Sequence, residues 1–182
     1  MQLKRTMKSI IETSSKKWHV VYTRSRAEKK VYSDLKAYDI ECFLPLKKQL
    51  RHFKNRKKWV EITLISGYCF VNITRKDYDR VLQVNNVVSY VAFERKAAIV
   101  PDKQIDYLKQ MLRQSDFDVE VTNNNFSPGK KVMVVEGPLM GLSGELMEER
   151  GKKRFLLRIA AINTVCSVVV PSEILTALPS DN

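Results

Sequence analysis

The sequence is poor in the residues that build metal sites and disulfide frameworks. Its 182 residues include only three cysteines and two histidines. Cys42, Cys69 and Cys166 are far apart and odd in number, and no C-x-x-C pair occurs, which argues against a disulfide framework or a zinc site. The histidines, His19 and His52, are not near one another either. We therefore predict a protein that has no metal and no cofactor.

Signatures of catalysis are also missing. The sequence contains no P-loop, no G-x-S-x-G and no H-E-x-x-H. Two separated histidines leave little material for general acid–base chemistry. The Glu148-Glu149 pair falls in a predicted turn and is interpreted as surface charge. The prediction is that the protein is not an enzyme.

Long apolar runs are absent as well. No stretch approaches the roughly 20 apolar residues that a membrane-spanning helix needs. Residues 1–17 include several basic side chains but only one short apolar pair, so they lack the core of a signal peptide. We predict a cytoplasmic protein, with a disordered lead-in at residues 1–15.

What the sequence does have is positive charge. Lysine and arginine total 32 against 20 aspartate and glutamate residues, which gives a formal net charge of +12. A strongly basic protein gains affinity for polyanions because each phosphate that it neutralises releases counterions. Charge alone does not distinguish DNA from RNA, or either of them from a membrane surface.

The first half of the chain alternates strand-like and helix-like stretches. Ser25 and Glu28 have the spacing of a capping box, and apolar residues follow at helical intervals. Thr74 and Asp77 mark the start of a second helix, and a Pro-Asp pair opens a third. The pattern predicts an α+β fold that begins with a sandwich-like domain at 16–114, an antiparallel sheet with three helices. Strand composition marks residues 18–23, 41–46, 59–65, 68–73, 87–93 and 97–100. The third helix is expected to bury Ile105, Leu108, Met111 and Leu112.

The second half is strand-rich and punctuated by glycine. Residues 115–125 are polar and have no helical period, which predicts a flexible linker. Short strands with glycine turns then predict a small five-stranded β-barrel at 126–178. Gly137 and Gly144 are expected to adopt positive φ angles at its turns. The barrel strands are predicted at 131–136, 145–149, 154–162 and 165–170.

Residues 126–144, FSPGKKVMVVEGPLMGLSG, resemble a KOW motif: Pro-Gly, an alternating strand, Gly-Pro and a further glycine turn. KOW domains also occur in ribosomal proteins. The first half decides between the families, because WHVVY at 18–22, SGYCFV at 66–71 and AAIVP at 97–101 follow one another as they do in NusG N-terminal domains. The chain thus resembles the NusG family of transcription elongation and antitermination factors.

This resemblance implies that an apolar pocket on the N-terminal domain binds the clamp helices of RNA polymerase. The aromatic residues at the matching positions are Tyr22, Tyr68, Phe70 and Phe93. The pattern alone favours another interpretation, in which these are ordinary core aromatics on strands. The resemblance reverses that preference for Tyr68 and Phe70 and leaves Tyr22 and Phe93 evenly balanced.

Two basic segments are candidates for nucleic-acid contact. In the family, the start of the first helix faces the exposed non-template DNA strand. Residues 47–59 form a hairpin or loop in the family, and here that segment is strongly basic, with aromatic residues interleaved, which suits upstream DNA or emerging RNA. A solvated helix face and a solubilising arm are the alternatives. The candidates are Arg24, Arg26, Lys29, Lys30, Lys48, Arg51, Lys54, Arg56, Lys57 and Lys58.

The resemblance also has limits. The specialised antiterminators carry a His-Thr-Thr signature for the polymerase gate loop, whereas this sequence has YDRV at 78–81. The barrel of the general factor binds Rho or a small-subunit ribosomal protein, and its tip position matches Ile162. The basic hairpin and this tip favour a specialised paralogue, like the UpxY regulators of surface-polysaccharide operons or RfaH, and the housekeeping NusG stays open as an alternative. The alternative is a ribosome-associated KOW protein that binds RNA.

Overall fold

The structure is a computed structural model that describes residues 15–54, 56–113, 118–122, 129–149 and 151–179. All but one residue of the predicted lead-in at 1–15 lies outside the described residues. The chain divides into two compact units. The first comprises the described residues of Met1–Leu44 and Ile65–Asp102, and the second those of Pro45–Leu64 and Lys103–Asn182. This division differs from the expected boundary at residue 114, because the basic hairpin and all but the first residue of the third helix fall in the second unit.

The first unit is built on an antiparallel sheet with strand order β2-β5-β1-β6, and β9 also pairs with β1. The short β7 and β8 form a separate two-stranded ribbon. The strands are β1 Lys17–Thr23, β2 Glu41–Phe43, β5 Tyr68–Ile73, β6 Val87–Tyr90, β7 Ala92–Phe93, β8 Lys96–Ala97 and β9 Ile99–Val100. The helices are α1 Glu28–Ala37 and α2 Tyr78–Leu82, and α2 follows a 3₁₀ turn at Arg75–Asp77.

The central strands of this sheet are buried on both faces. Val20 and Val21 are adjacent on β1 and therefore point to opposite faces, yet both are fully buried. Cys69 and Phe70 on β5 behave in the same way. This burial explains why the strands are continuous apolar runs rather than alternating ones.

The predicted capping box at the start of α1 is wrong. The N-cap residue is Ala27, which makes no side-chain capping bond, and Arg26 before it has a φ of 62°. The Glu28 carboxylate instead accepts a hydrogen bond from the backbone N–H of Gly67 at 2.8 Å, and its side chain is buried. Glu28 therefore ties the helix to the loop before β5 and does not reach back to Ser25.

The second helix begins as predicted at Thr74. The Asp77 carboxylate accepts hydrogen bonds from the Thr74 hydroxyl at 2.8 Å and from the Thr74 backbone N–H at 3.2 Å. These bonds, that of the hydroxyl above all, hold the pKa of Asp77 below its usual value. The first turn is 3₁₀ rather than α-helical, which is common at helix ends.

The second unit contains the hairpin, the third helix and a six-stranded antiparallel sheet of order β10-β14-β13-β12-β11-β15. The hairpin is formed by β3 Leu46–Phe53 and β4 Arg56–Thr63, and the helix is α3 Asp102–Arg113. The sheet strands are β10 Glu120–Thr122, β11 Lys130–Val134, β12 Ser143–Glu149, β13 Lys152–Ile159, β14 Thr164–Val169 and β15 Leu175–Ala177. The α+β class, the three helices and the barrel-like region are confirmed.

Strand β10 lies within the segment that was expected to be a linker. Val121 pairs with Cys166 on β14, and the preceding Val119 is buried. The Arg154 guanidinium also donates a hydrogen bond to the Glu120 carboxylate at 2.7 Å. The polar composition of the linker concealed a short strand that adds to the edge of the sheet.

Helix α3 is joined to the loop between β11 and β12 by side-chain hydrogen bonds. The Tyr107 hydroxyl donates to the carbonyl oxygen of Gly141 at 3.1 Å. The Gln110 amide donates to the carbonyl oxygens of Pro138 and Met140 at 3.1 and 3.2 Å. On its other side the helix is apolar, and its fully buried residues are Ile105, Leu108 and Met111, whereas Leu112 is half-buried.

The two glycines singled out from the sequence have different roles. Gly137 has a φ of 80° and open space around its Cα, so it supplies the turn conformation that was predicted. Gly144 is not among the residues with positive φ. A Cβ at position 144 would collide with the carbonyl oxygen of Leu156 and lie 2.5 Å from Cζ of Phe155. Glycine is required at position 144 because the backbone of β13 and the ring of Phe155 leave no room for a Cβ atom.

Candidate functional site

Two of the predicted polymerase-contact residues form a pair on one face of the first sheet. Tyr22 and Tyr68 are directly opposite in the β1–β5 register, so their side chains share a face. Their ring centroids are 5.0 Å apart with an interplanar angle of 39°. Tyr22 is 40% exposed and Tyr68 is half-buried. We call these two residues the tyrosine pair.

The tyrosine pair lies at the surface but is partly shielded from solvent. Burial raises the pKa of Tyr68, and a hydrogen bond to Tyr22 adds to the rise. A phenol in this environment stays neutral throughout the physiological range. The pair therefore offers an aromatic surface with hydroxyl groups at its edge, which is the character of an aromatic anchor in an interface.

Phe70 lies on the same face but in the core. It is fully buried, opposite Val20 in the register, and its ring centroid is 6.0 Å from that of Phe43. Its side chain is therefore not available to a partner in this structure. Phe70 instead lies two residues from Tyr68 along the same face of β5, at a position that the core covers.

Phe93 is placed apart from the tyrosine pair. It belongs to the β7–β8 ribbon, is 75% exposed and forms no ring contact with another described aromatic residue. The ribbon turns at Glu94 and Arg95, whose φ angles are 49° and 64°. A two-residue turn with both φ angles positive is normally built from Asn and Gly, so these residues hold a strained turn.

The structure also exposes apolar residues that sequence reasoning missed. Val88 on β6 is 60% exposed and Ile99 on β9 is 52% exposed. Both lie in short strands of β-branched residues, a composition that normally indicates burial. No signal in the sequence separates these positions from the valines beside them, of which Val87 is half-buried and Val100 is buried.

The basic residues at the start of α1 are all exposed. Arg24 directly follows β1. The backbone N–H of Arg24 donates a hydrogen bond to the carbonyl oxygen of Asn86 at 2.9 Å, which fixes the backbone at this point. Arg26 has a left-handed backbone. Lys29 and Lys30 follow in the first turn, and Lys30 forms an ion pair with Asp34 at 3.0 Å. The four positive charges therefore cluster at one end of the helix.

The hairpin presents a different pattern on each of its two faces. Register pairs Leu50 with Trp59 on one face, whereas Arg51 is opposite Lys58 on the other. Trp59 is 64% exposed and Leu50 is 37% exposed. The pair His52–Lys57 shares the tryptophan face. The remaining predicted cations Lys48, Lys54 and Arg56 are also exposed.

The tip of the barrel-like region places Ile162 in a 3₁₀ turn between β13 and β14. Ile162 is 9% exposed, and Asn163 after it adopts a left-handed φ of 47°. Ile162 thus offers little surface to a partner. Elsewhere on the sheet, Arg158 donates to the Glu145 carboxylate at 2.9 and 3.0 Å, and these bonds lower the pKa of Glu145.

The cysteines have no reactive character. Burial raises the pKa of Cys42 to about 11 and raises the pKa values of Cys69 and Cys166 as well. Among the described residues, no group of three or more His, Cys, Asp or Glu side chains is arranged to hold a metal ion. None of the helices in the described part of the chain combines the length and apolar character that spanning a bilayer requires.

Comparisons with known proteins place this geometry in a family. The profile of the family described as "Transcription termination factor nusG" matches residues 16–109. A solved structure titled "Domain interaction in Thermotoga maritima NusG" is similar with a TM-score of 0.53 and 21% identity, over 92% of this chain and 99% of that chain. Structures of an MjSpt4:Spt5 complex in two conformations each match with 15% identity, over 90% and 91% of this chain and 99% of each of those chains. Their TM-score of 0.28 is too low to establish a shared overall fold. A comparison with curated proteins returns no match. Because the family profile matches more than half of this chain, the chain belongs to the NusG family of transcription factors.

Proposed function

We propose that this chain is a transcription elongation and antitermination factor that binds the clamp helices of RNA polymerase through the tyrosine pair. Family membership supports a role in transcription elongation rather than in catalysis. The observation that carries the finer proposal is the exposed Tyr22–Tyr68 pair, with its rings 5.0 Å apart on one sheet face. Amphipathic helices bind in such aromatic surfaces by inserting apolar side chains.

The tyrosine pair acts as a fixed anchor. Both residues lie on neighbouring strands of a sheet that is buried beneath them, so little side-chain freedom is lost when a helix binds. In this mechanism the first unit holds the clamp closed across the DNA channel and suppresses pausing. Phe93, which is 75% exposed, is a further contact of the same proposal.

Replacing both tyrosines should remove polymerase binding while the fold is kept. We expect Tyr22→Ala with Tyr68→Ala to weaken binding about 1000-fold, because two aromatic anchors each contribute roughly 2 kcal/mol or more. Binding of purified polymerase would be measured by surface plasmon resonance. The matched control is Tyr38→Ala, which removes another exposed tyrosine, one that is 57% exposed at the end of α1.

Equal binding by the double variant and the Tyr38 control would contradict the proposed surface. A single-round transcription assay on a template with a pause and a terminator would then show whether any polymerase effect remains. Absence of polymerase binding by the wild-type chain would favour the alternative of a ribosome-associated RNA-binding protein.

We also propose that the hairpin binds nucleic acid, with single strands stacked on Trp59 and phosphates held by the surrounding cations. Support comes from the exposure of Trp59 and from the basic residues on both hairpin faces. Every base has an aromatic face, so such a surface tolerates any sequence. The cations at the start of α1 are proposed to contact the non-template strand in the same manner.

Trp59→Ala should weaken binding to a fluorescent single-stranded oligonucleotide by about 5- to 100-fold, because base–aromatic stacking contributes roughly 1–3 kcal/mol. Binding to a duplex of the same length should change much less, since its bases are already stacked. Leu50→Ala, which removes the cross-strand neighbour of Trp59, is the control. Fluorescence anisotropy measures both ligands, and an equal loss for single strand and duplex would refute stacking.

This proposal extends to whether the factor is general or specialised and to the partner that the barrel binds. The basic hairpin and the apolar but not aromatic tip residue Ile162 support a specialised paralogue that acts on long operons, whereas YDRV at 78–81 departs from the signature of the specialised antiterminators. The burial of Ile162 argues against a contact that depends on this side chain alone, either with Rho or with a small-subunit ribosomal protein.

A further inference from the structure

A cleft in the first unit gathers cationic side chains around a histidine. The cleft has a volume of about 430 Å³ and lies between the N-terminal part of β1, the turn before α2 and the β7–β8 ribbon. It is away from the tyrosine pair, which occupies the other end of β1. The side chains that define the cleft are Lys17, His19, Arg75, Tyr78, Arg95 and Lys96.

The charged residues in the described lining of this cleft are all cations. Its lining contains two lysines and two arginines but no aspartate or glutamate. Within the described ranges, none of these four cations forms an ion pair. The nearby Asp77 is already held by Thr74 and Arg80. Like charges brought together without a counter-charge repel one another, and an anion bound among them relieves that repulsion.

Backbone strain at the ribbon turn contributes to this arrangement. Arg95 has a φ of 64° and lines the cleft directly before Lys96. Because a non-glycine residue in this conformation is unfavourable, the turn is held by the surrounding structure, which places two adjacent cations at the cleft.

The tyrosine in the cleft is not available for stacking with a base. One side of the Tyr78 ring is stacked on Tyr90, with ring centroids 4.1 Å apart, and the Arg75 guanidinium lies 4.7 Å from the Tyr78 ring centroid. His19 contacts Tyr78 and Tyr90 edge-on. The cleft can therefore recognise charge but has no free aromatic face to recognise a nucleobase.

We propose that this cleft is a binding site for phosphate groups, supplied either by the backbone of single-stranded nucleic acid or by a free polyphosphate. Four cations match several phosphate charges, and the absence of a free aromatic face makes binding independent of the base. This site lies beyond the proposed polymerase and hairpin contacts, and it binds its ligand whether or not the chain binds polymerase.

His19 reports on occupation of the cleft through its protonation. Its Nδ1 lies 3.0 Å from the carbonyl oxygen of Ala98. Because a carbonyl oxygen can only accept a hydrogen bond, Nδ1 carries the hydrogen of the neutral ring. Nε2 is therefore the atom that gains a proton when His19 becomes charged. Burial lowers the pKa of His19, the bond to Ala98 opposes this, and the charge of Lys17 lowers it further.

An anion bound in the cleft must offset part of this lowering of the His19 pKa. The groups that line the cleft around His19 are the cations Lys17, Arg75, Arg95 and Lys96 and the phenol of Tyr78. Tyr90 contacts His19 from β6, and the carboxylates of Asp77 and Asp79 lie close enough to act on Tyr90. A phosphate among them stabilises the protonated imidazole and raises the pKa of His19. By linkage, affinity is greater below the His19 pKa than above it, tenfold for each unit of the rise.

The experiment follows the two histidine Cε1–H signals of the full chain by NMR as a function of pH. The chain has only two histidines, so the His52→Gln variant assigns both signals. One titration contains inorganic tripolyphosphate, a second contains a (dT)12 oligonucleotide, and a third contains neither. The test variant is Lys17→Gln, Arg95→Gln, Lys96→Gln, in which all three positions are exposed. The control is Lys36→Gln, Lys130→Gln, Lys152→Gln, with the same loss of charge elsewhere.

The expected result is a rise of about one unit in the His19 pKa with at least one ligand, kept in the control and lost in the test variant. A rise with the oligonucleotide alone identifies a nucleic-acid backbone as the ligand, and a rise with tripolyphosphate alone identifies a free polyphosphate. A rise with both shows that the cleft accepts either source. An unchanged His19 pKa in both titrations, or a rise that the test variant keeps, would overturn the proposal. Polymerase is absent from this experiment, so its outcome is separate from that of the proposed function.

Discussion

Phe70→Ala is expected to destabilise the first unit by about 3–5 kcal/mol, the range measured when a fully buried phenylalanine is truncated. Phe70 is the largest of the fully buried side chains in the central strands, and its removal leaves a cavity beside Phe43. Chemical denaturation would be followed by the fluorescence of Trp18, which is buried in the same sheet. A Trp59→Phe background removes the only other tryptophan.

The comparison with Tyr22→Ala separates core from surface. Tyr22 is on the same sheet face but is 40% exposed, so its loss should cost well under half as much stability. We expect Phe70→Ala to lose polymerase binding only in proportion to unfolding, and Tyr22→Ala to lose binding while folded. A folded Phe70→Ala protein that fails to bind polymerase would show that Phe70 contributes to the surface directly.

Gly144→Ala is expected to destabilise the second unit by about 3 kcal/mol or more, at the upper end of what overpacking costs. The new Cβ meets the carbonyl oxygen of Leu156, a backbone atom held in the β12–β13 ladder, and the ring of Phe155. Neither can move without breaking strand pairing or disturbing a fully buried ring. Hydrogen exchange of the β13 and β14 amides would measure the loss, because these strands are in the middle of the sheet.

Gly137→Ala is the matched control for this prediction. Gly137 has a positive φ but no atom within contact distance of an added Cβ, so the substitution costs about 1–2 kcal/mol through conformation alone. If Gly137→Ala proved as damaging as Gly144→Ala, space would not be the reason for glycine at position 144.

Local sequence predicted those features whose cause is also local. The spacing of Ile105, Leu108 and Met111 identified the buried face of α3, because helical periodicity puts these residues on one side. Thr74 and Asp77 marked a helix start because their hydrogen bonds form within one turn. Ser25 and Glu28 have similar spacing, but a distant backbone N–H at Gly67 attracted the Glu28 carboxylate, and no local pattern encodes that.

The sequence by itself determined the fold class, the family and the basic character of the hairpin, because these follow from periodicity, motif order and composition. The tertiary structure alone decided which aromatic residues are exposed. Tyr68 and Phe70 are two residues apart on β5 and therefore share a strand face, yet only Tyr68 reaches the surface, since burial depends on what covers each position. It also assembled the phosphate cleft, whose cations come from β1, the turn before α2 and the β7–β8 ribbon and meet only when the sheet forms.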